Sequence, residues 1–448
     1  MVDIEPFARI VGDAAVLTGQ RVRSYLRDYS WYSPLLETAL ADAGVDAVLR
    51  PADLGQLTAV VAEAARMRVP LTMRGAGTGN YGQSLPLERG VVVDVRRVSG
   101  ILAVDVPDPA APGRVALLPG TTFAGVDEYL AGHGHELAIM PSTYRLATVA
   151  GHVCGGSGGI GSAQYGDLWN GNVPAVELLT VEEEPRTIRL TGDEVVPVLH
   201  TYGTVGVVVR VELRSMPRRE YRPLYATFDD PMSAASFAWD VMESGVGRRL
   251  VSLQPAPIPT TFTPVAHLFG PDDSAVLLLV AAEDVDEVRT LATVGGGRLA
   301  DWPDAPSITR FSYSHTVLWQ KKADPESSWL QGVYADDRSG FLTQFAGLHA
   351  RYGADLAQHV EFRRNAGRTV PGMIAGVAGR LAATRAGTVE LIEHCTSLGV
   401  TVRNPHSYVV DEGGFVGDTT AAVERKRDAD PHGLLNPGKL AGSFFQNA

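Results

Sequence analysis

The chain has 448 residues, 45% of them hydrophobic and 20% charged, with a formal net charge of −12. This is the composition of a folded globule large enough for two lobes, and the acidic balance argues against nonspecific partners such as nucleic acid or anionic membrane, which reward clustered Lys and Arg. Two cysteines, Cys154 and Cys395, rule out a disulfide framework, leave one pairing open and fit a reducing compartment. Residues 1–20 lack the basic start and apolar run of a signal peptide, and no stretch of about 18 apolar residues occurs, so a cytoplasmic protein is expected.

In chain order, residues 21–40 form a mixed aromatic and charged lead-in. Its Asp28, Tyr29, Ser30 and Trp31 either line a pocket or pack, and packing is the reading adopted. Residues 45–50 predict a short strand ended by Pro51. Asp53 is the N-cap of a helix over 54–68, where Leu57, Val60, Val61, Ala64 and Ala65 recur at helical spacing, with Arg66 and Arg68 in the last turn. A strand over 70–73 completes a β-α-β unit and leads into a glycine-rich loop, Arg74 to Ser84.

In that loop Gly75, Gly77, Gly79 and Gly82 allow positive φ and close backbone approach, so successive N–H groups can form an anion-binding nest. Gly77 to Gly82 satisfies GxGxxG, but that motif needs a helix after the loop. Pro86, Gly90 and the β-branched Val91, Val92 and Val93 forbid one, and no GxxxxGK[ST] occurs. What remains is a strand–loop–strand cradle suited to phosphate.

Residues 114–118 read as a strand and 123–130 as a helix closed by Gly132. Residues 140–166 hold glycines at 151, 155, 156, 158, 159 and 161, too dense for a regular element. Ile139, Leu146, Val149, Val153 and Ile160 are buried-type residues spaced along it, which favours an ordered loop over a solvated linker. Residues 175–181 and 187–190 form a strand pair about an acidic turn, 203–213 is a β-branched run, and 216–222 marks a boundary. Beyond it, 226–228, 250–253 and 275–281 are strand-like, and 232–243 and 285–293 helix-like. Residues 387–398 read as helix, 400–410 as strand and 419–428 as helix, before a turn-rich tail over 430–439 that is expected to be docked.

Four blocks carry a resemblance: RGAGTGNYGQS with VVVD, then PST with ATVAGHVCGGSGGIGS and YG, then GTVGVVVRVEL, then DPHGLLNPGK. Their order and spacing resemble the vanillyl-alcohol-oxidase-type FAD oxidoreductases, with a PCMH-type FAD domain. The resemblance covers the first half of the chain and its last stretch. It implies an α+β fold: a two-subdomain FAD-binding domain over 1–216, a cap (substrate) domain over 217–398, and a C-terminal segment over 399–448 returning to the FAD domain. By the same resemblance Arg74, Gly75, Ala76, Gly77, Thr78, Gly79, Asn80, Gln83 and Ser84 hold the FAD pyrophosphate. Pro141, Ser142, Thr143, Thr148, Gly151, His152, Gly155 and Ser157 line the flavin and its ribityl chain. Gly206 and Val207 offer backbone to the adenine end, and Asn436 and Lys439 approach the ring from the tail.

Some family members tether the flavin to a histidine in the first loop or to a cysteine before the second. The matching positions here are Thr78 and Met140, so FAD is expected to be non-covalent, with a cap histidine the remaining route to a tether. Members that oxidise 2-hydroxy acids with a bound metal carry paired histidines near the C-terminus. Asn404, Pro405, His406, Ser407 and Tyr408 stand here instead, and no metal is expected.

Hydride transfer from C–OH or C–N to flavin requires a proton acceptor beside the ring. If 403–410 is a strand, Asn404, His406 and Tyr408 share one face, with His406 as base and Tyr408 orienting substrate; the alternative is a histidine and tyrosine bonded within the sheet. His315 and Trp319 lie four apart near Lys321 and Lys322, either reading a substrate or forming a satisfied surface. Arg363, Arg364 and Arg368 read as a solvated cluster rather than a carboxylate clamp, and His133 and His135 as caps beside Gly134. The expected function is an FAD-dependent oxidase or dehydrogenase acting on a small molecule, with oxygen or another electron acceptor, as a monomer or homodimer. Two alternatives stay open: an NADPH-dependent flavin reductase of the enolpyruvyl-sugar-nucleotide type, whose loop also resembles GAGTGN, and a non-catalytic flavin-binding protein.

Overall fold

The computed structural model describes residues 2–440. The chain divides into two compact units. Unit 1 comprises the residues up to Ser157, Gly171–Arg218 and those from His406 on; unit 2 comprises Gly158–Asn170 and Arg219–Pro405. Both mix helix and sheet, as the α+β expectation required.

Unit 1 contains two sheets. The first orders its strands Val16–Leu17, Ala47–Leu49, Val91–Asp94 and Leu71–Arg74. Ala47–Leu49 and Leu71–Arg74 both run parallel to Val91–Asp94, which lies between them. Val91, Val92 and Val93 are fully buried, the continuous apolar run expected of a strand covered on both faces. The helix Leu54–Met67 starts where Asp53 accepts the Gln56 N–H at 2.8 Å. It buries Leu57, Val60, Val61, Ala64 and Ala65 completely. Each of the larger side chains among them contributes roughly 1.5–3 kcal/mol. The next parallel crossover, residues 75–90, contains no helix, so the glycine loop itself spans the two strands.

The second sheet is antiparallel and centres on Val207–Pro217, which pairs with Gly113–Leu117 along one edge and with Ala175–Leu179 and then His135–Leu137 along the other. Thr187–Thr191 extends it beyond Ala175–Leu179, giving the pair expected around the acidic turn. The tail docks against the first sheet: Leu435 bridges Leu71, the Leu71 N–H donates to the Leu434 carbonyl at 2.7 Å, and the Asn436 N–H to the Leu71 carbonyl at 2.6 Å.

Unit 2 is built on a nine-stranded sheet whose order places Arg248–Gln254, Val360–Asn365 and Arg368–Val377 side by side. Val251, Leu253, Val360, Phe362, Met373 and Ala375 join a core with Pro231–Glu243 and Arg338–Tyr352 on one face. By strand alternation the neighbouring residues of these strands lie on the other.

Several local expectations need correction. The glycine-dense stretch is not free of regular structure: Val149–Gly155 and Ser162–Tyr165 are helices. Thr148 caps the first by accepting from the Gly151 N–H at 3.3 Å, and Val149 and Val153 are fully buried. The cap and the burial outweigh a helical glycine penalty of about 1 kcal/mol. The strand expected over 400–410 stops at Thr401–Arg403. Pro405 has no N–H to donate and restricts the residue before it, so the backbone turns at His406 and re-enters helix at Val410–Gly413. Asn404, His406 and Tyr408 therefore share no strand face. His135 is no cap but a buried strand residue bonded to Ser215 Oγ at 3.0 Å, whereas His133 does reach the Tyr129 carbonyl at 3.1 Å. Cys154 and Cys395 are both free thiols.

Candidate functional site

In unit 1 the glycine loop, the 148–157 segment, the 200–207 turn and the tail converge. Gly75 abuts Thr148 so closely that a Cβ there would lie 2.2 Å from Thr148 Oγ1. Gly77 has φ +68°, open to glycine at no steric cost. Gly75, Ala76, Gly77, Thr78 and Gly79 are all half-buried, so a run of backbone remains accessible, while Asn80 is buried. Gln83 locks the far side: its Oε1 accepts from the Tyr81 N–H at 3.0 Å and its Nε2 donates to the Gly155 carbonyl at 3.1 Å.

Arg74 is buried and faces inward. Its terminal nitrogens donate to the carbonyls of Tyr25 (3.1 Å) and Arg27 (2.6 Å) and to Ser84 Oγ (3.0 Å). It braces the 21–27 segment against the loop, so the cradle's electropositive character rests on backbone N–H groups.

Asn436 holds the tail to this frame. At φ +44° it sits in the left-handed region that asparagine tolerates, and its Nδ2 donates to the carbonyls of Gln83 (2.8 Å) and Tyr202 (2.7 Å). His200 and Tyr202 also have positive φ, and His200 Nδ1 meets the Gly156 carbonyl at 2.7 Å. No pattern in the sequence marked these two; positive φ at bulky residues is a product of tertiary constraint. Gly206, φ +134°, precedes Val207, whose side chain is fully buried and which pairs with Leu179.

Lys439 is completely buried, donates to the Gly82 carbonyl at 2.7 Å and lies 4.9 Å from the Tyr408 ring centroid. Burial lowers its pKa to about 7, opposed by the charge of Asp28. Asp28 is itself buried, which raises its pKa, and accepts from the Ser30 N–H at 2.9 Å. The charge of Asp28 in the lead-in segment thus favours the protonated form of the tail lysine. His406, half-buried, pairs its Nδ1 with Ser33 Oγ at 2.6 Å, and Ser33 also caps the helix Pro34–Ala39. His152 is buried with its pKa pushed down to about 3 by desolvation and then by His200, so it is neutral at physiological pH. Pro141 is buried, and Ser142, Thr143, Gly155 and Ser157 are half-buried, whereas Gly151 is exposed.

His315 and Asn404 belong to unit 2. His315 lies in the helix Ser314–Ala323, half-buried, its pKa lowered to about 4 by burial and then by Arg310 and Lys322. Trp319 in the same helix is buried, stacks on Phe311 at 5.5 Å and donates to the Arg310 carbonyl, while Lys321 donates to the carbonyls of Pro325 and Ser327. These side chains support the fold. The three arginines divide: Arg363 is buried and pairs with Asp167, Arg364 is partly buried and pairs with Glu243, and Arg368 is solvated as expected, beside Asp336. Among the described residues, no three His, Cys, Asp or Glu side chains converge in a metal-holding arrangement.

The family described as FAD binding domain matches residues 45–188. The glycolate oxidase subunit GlcD of Escherichia coli is 25% identical over 421 residues, spanning 88% of this chain and 83% of that one. The D-lactate dehydrogenase of Archaeoglobus fulgidus is 27% identical over 200 residues, 42% of this chain and 43% of the relative. In fold, p-cresol methylhydroxylase superposes with a TM-score of 0.69 at 16% identity, covering 99% of this chain and 97% of the other. The residues of unit 1 fit FAD: the half-buried glycine backbone would be filled by any Cβ at Gly75, and Asn436 Oδ1 and His152 Nε2 are buried hydrogen-bonding atoms with no protein partner.

Proposed function

We propose that this chain, an FAD-dependent oxidoreductase of the vanillyl-alcohol-oxidase type, oxidises a C–OH centre of a small molecule with a dissociable FAD held by unit 1. The observation that carries the reading is the convergence on one frame of Gly75–Thr148, Gln83–Gly155, Asn436–Tyr202 and Lys439–Gly82. The loop's backbone N–H groups hold the pyrophosphate, and Thr148, His152, Gly155 and Ser157 line the ring and ribityl chain. FAD held there would supply the two-electron acceptor.

His406 takes the hydroxyl proton as the C–H bond gives up its hydride, leaving a carbonyl. Ser33 orients its ring through the 2.6 Å bond. Neutral His152 keeps a second positive charge out of the site. Lys439, held on the Gly82 carbonyl, would offer a positive charge to a flavin bound beside it. That relatives are named for glycolate and D-lactate supports a C–OH donor.

The test is the visible spectrum of the purified protein, repeated on the supernatant after acid precipitation, followed by anaerobic mixing with alcohols, hydroxy acids and amines. Released yellow colour and bleaching by a C–OH donor are the expected results. Colour retained in the pellet refutes the dissociable cofactor, and flavin that dithionite reduces but no donor does refutes the enzyme reading.

A further inference from the structure

In unit 1 the frame that Asn436 closes rests on a buried ion pair at the end of the helix Thr420–Ala429. Lys426 Nζ donates to Asp430 Oδ2 at 2.9 Å, to the Thr204 carbonyl at 3.2 Å and to the Leu435 carbonyl at 2.9 Å. An ammonium has three N–H groups, and all of them are used. Asp430 grips the tail as well: its Oδ1 accepts from the Leu434 N–H at 2.9 Å and its Oδ2 from the Leu435 N–H at 2.8 Å. Lys426 is 3% exposed and Asp430 1%.

The acceptors are not scattered. Thr204 follows Tyr202 closely in the 200–207 turn, Leu435 immediately precedes Asn436, and Asn436 Nδ2 donates to the Tyr202 carbonyl at 2.7 Å. One ammonium therefore holds the segments at both ends of that bond. A second contact repeats the arrangement: Gly206, at φ +134°, lies against the same helix, where a Cβ would stand 3.5 Å from Ala429 Cβ. An ion pair this deep gives up hydration that its own attraction only partly repays, so apolar residues of similar size could replace it at little cost in stability. They could not direct N–H groups to three segments at once.

We propose that Lys426 and Asp430 are positioning residues for the cofactor, holding Asn436 and the 200–207 turn at the spacing that FAD requires. The inference rests on the reading of unit 1 as the FAD site and deepens it. With every N–H committed to the protein, Lys426 acts through Thr204 and Leu435 rather than on the ligand. Removing one partner alone strands a buried charge, whereas removing both charges keeps the balance. Lys426→Met combined with Asp430→Asn is therefore the informative variant. Asparagine still offers an amide oxygen to the Leu434 and Leu435 N–H groups, and methionine offers no donor to Thr204 or Leu435.

The test dilutes each FAD-loaded protein, reads the released flavin by its fluorescence to obtain Kd, and records the visible circular dichroism of the bound flavin at saturating FAD. Phe7→Leu is the control for lost stability: Phe7 is fully buried on the helix Glu5–Val11, in the same apolar core as Leu435, and its side chain makes no hydrogen bond to lose. The double variant should raise the Kd roughly tenfold or more and change the dichroic bands of the flavin. Phe7→Leu should lower the melting temperature and leave both readouts as in the wild type. Unchanged Kd and dichroism in the double variant, or equal losses in Phe7→Leu, overturn the positioning role while the FAD reading stands. Wild-type protein that holds no FAD overturns that reading, and the positioning role with it.

Discussion

Gly75→Ala places the new methyl 2.2 Å from Thr148 Oγ1 and 3.3 Å from Thr148 Cβ. The φ of Gly75 is not in the positive range, so the effect is steric. Thr148 can rotate away only by giving up its cap on Val149–Gly155, which costs roughly 0.5–2 kcal/mol; otherwise the loop shifts, at about 1–3 kcal/mol for overpacking. A loop that retreats no longer presents its N–H groups to the pyrophosphate. A loss of about 1–3 kcal/mol in the closed cradle weakens FAD binding by roughly 5- to 150-fold. The assay is fluorescence titration of apoprotein with FAD. Thr148→Ala removes Oγ1, so in the double variant the methyl meets Cβ at a tight but tolerable separation. The double variant should bind FAD better than the sum of the single losses implies, with a coupling of about 0.5–3 kcal/mol. Strict additivity would refute the proposed packing of the loop on the cap.

The pKa of Lys439, about 7 when folded against an ordinary 10.5, makes the unfolded chain the better proton binder between those values, so its contribution to stability rises with pH across that window and is flat below it. Lys439→Met should abolish this part of the slope and be relatively more stable at about pH 6.5 than at about pH 9 by urea unfolding. His406→Ala should slow flavin reduction by roughly 10²–10⁴-fold while the FAD stays bound; unchanged reduction kinetics would remove it from the mechanism. Asn436→Ala strips the carbonyls of Gln83 and Tyr202 of a donor, which costs about 1–3 kcal/mol for each buried group left unmet. It should lower both thermal stability and FAD affinity. Burial pushes the Cys154 and Cys395 thiols up to about 12, so neither should react with a thiol reagent near neutral pH until the protein is unfolded.

The features legible in the sequence were those set by local chemistry. Asp53 as a cap, the 3.6-residue apolar stripe after it, and the exclusion of a helix by Pro86, Gly90 and three valines needed no knowledge of distant contacts. Specified turn residues likewise pointed to a docked tail, and Leu435 on Leu71 is where it docks. The failures share the opposite character. Glycine density hid the Val149–Gly155 helix because its stability comes from Thr148 and from burial. The 403–410 alternation suggested a strand, but Pro405 has no N–H to donate and restricts Asn404, so the strand ends at Arg403. The roles of Asp28 and Ser33 depend on partners hundreds of residues away, and His200 and Tyr202 adopt backbone conformations that only their surroundings impose.

The chain leaves unit 1 after Ser157, returns at Gly171, leaves again after Arg218 and returns at His406. Within unit 2 the short excursion supplies Asp167 to Arg363, the Gly159 carbonyl to the Tyr313 hydroxyl and Gln164 to the Arg248 N–H. A graft that exchanges residues 219–405 for those of a relative would therefore separate the donated peptide from its own counterparts of Asp167, Gly159 and Gln164. To move unit 2 intact by recombination, the 158–170 insert has to travel with the larger fragment, so the unit transfers as a two-part cassette.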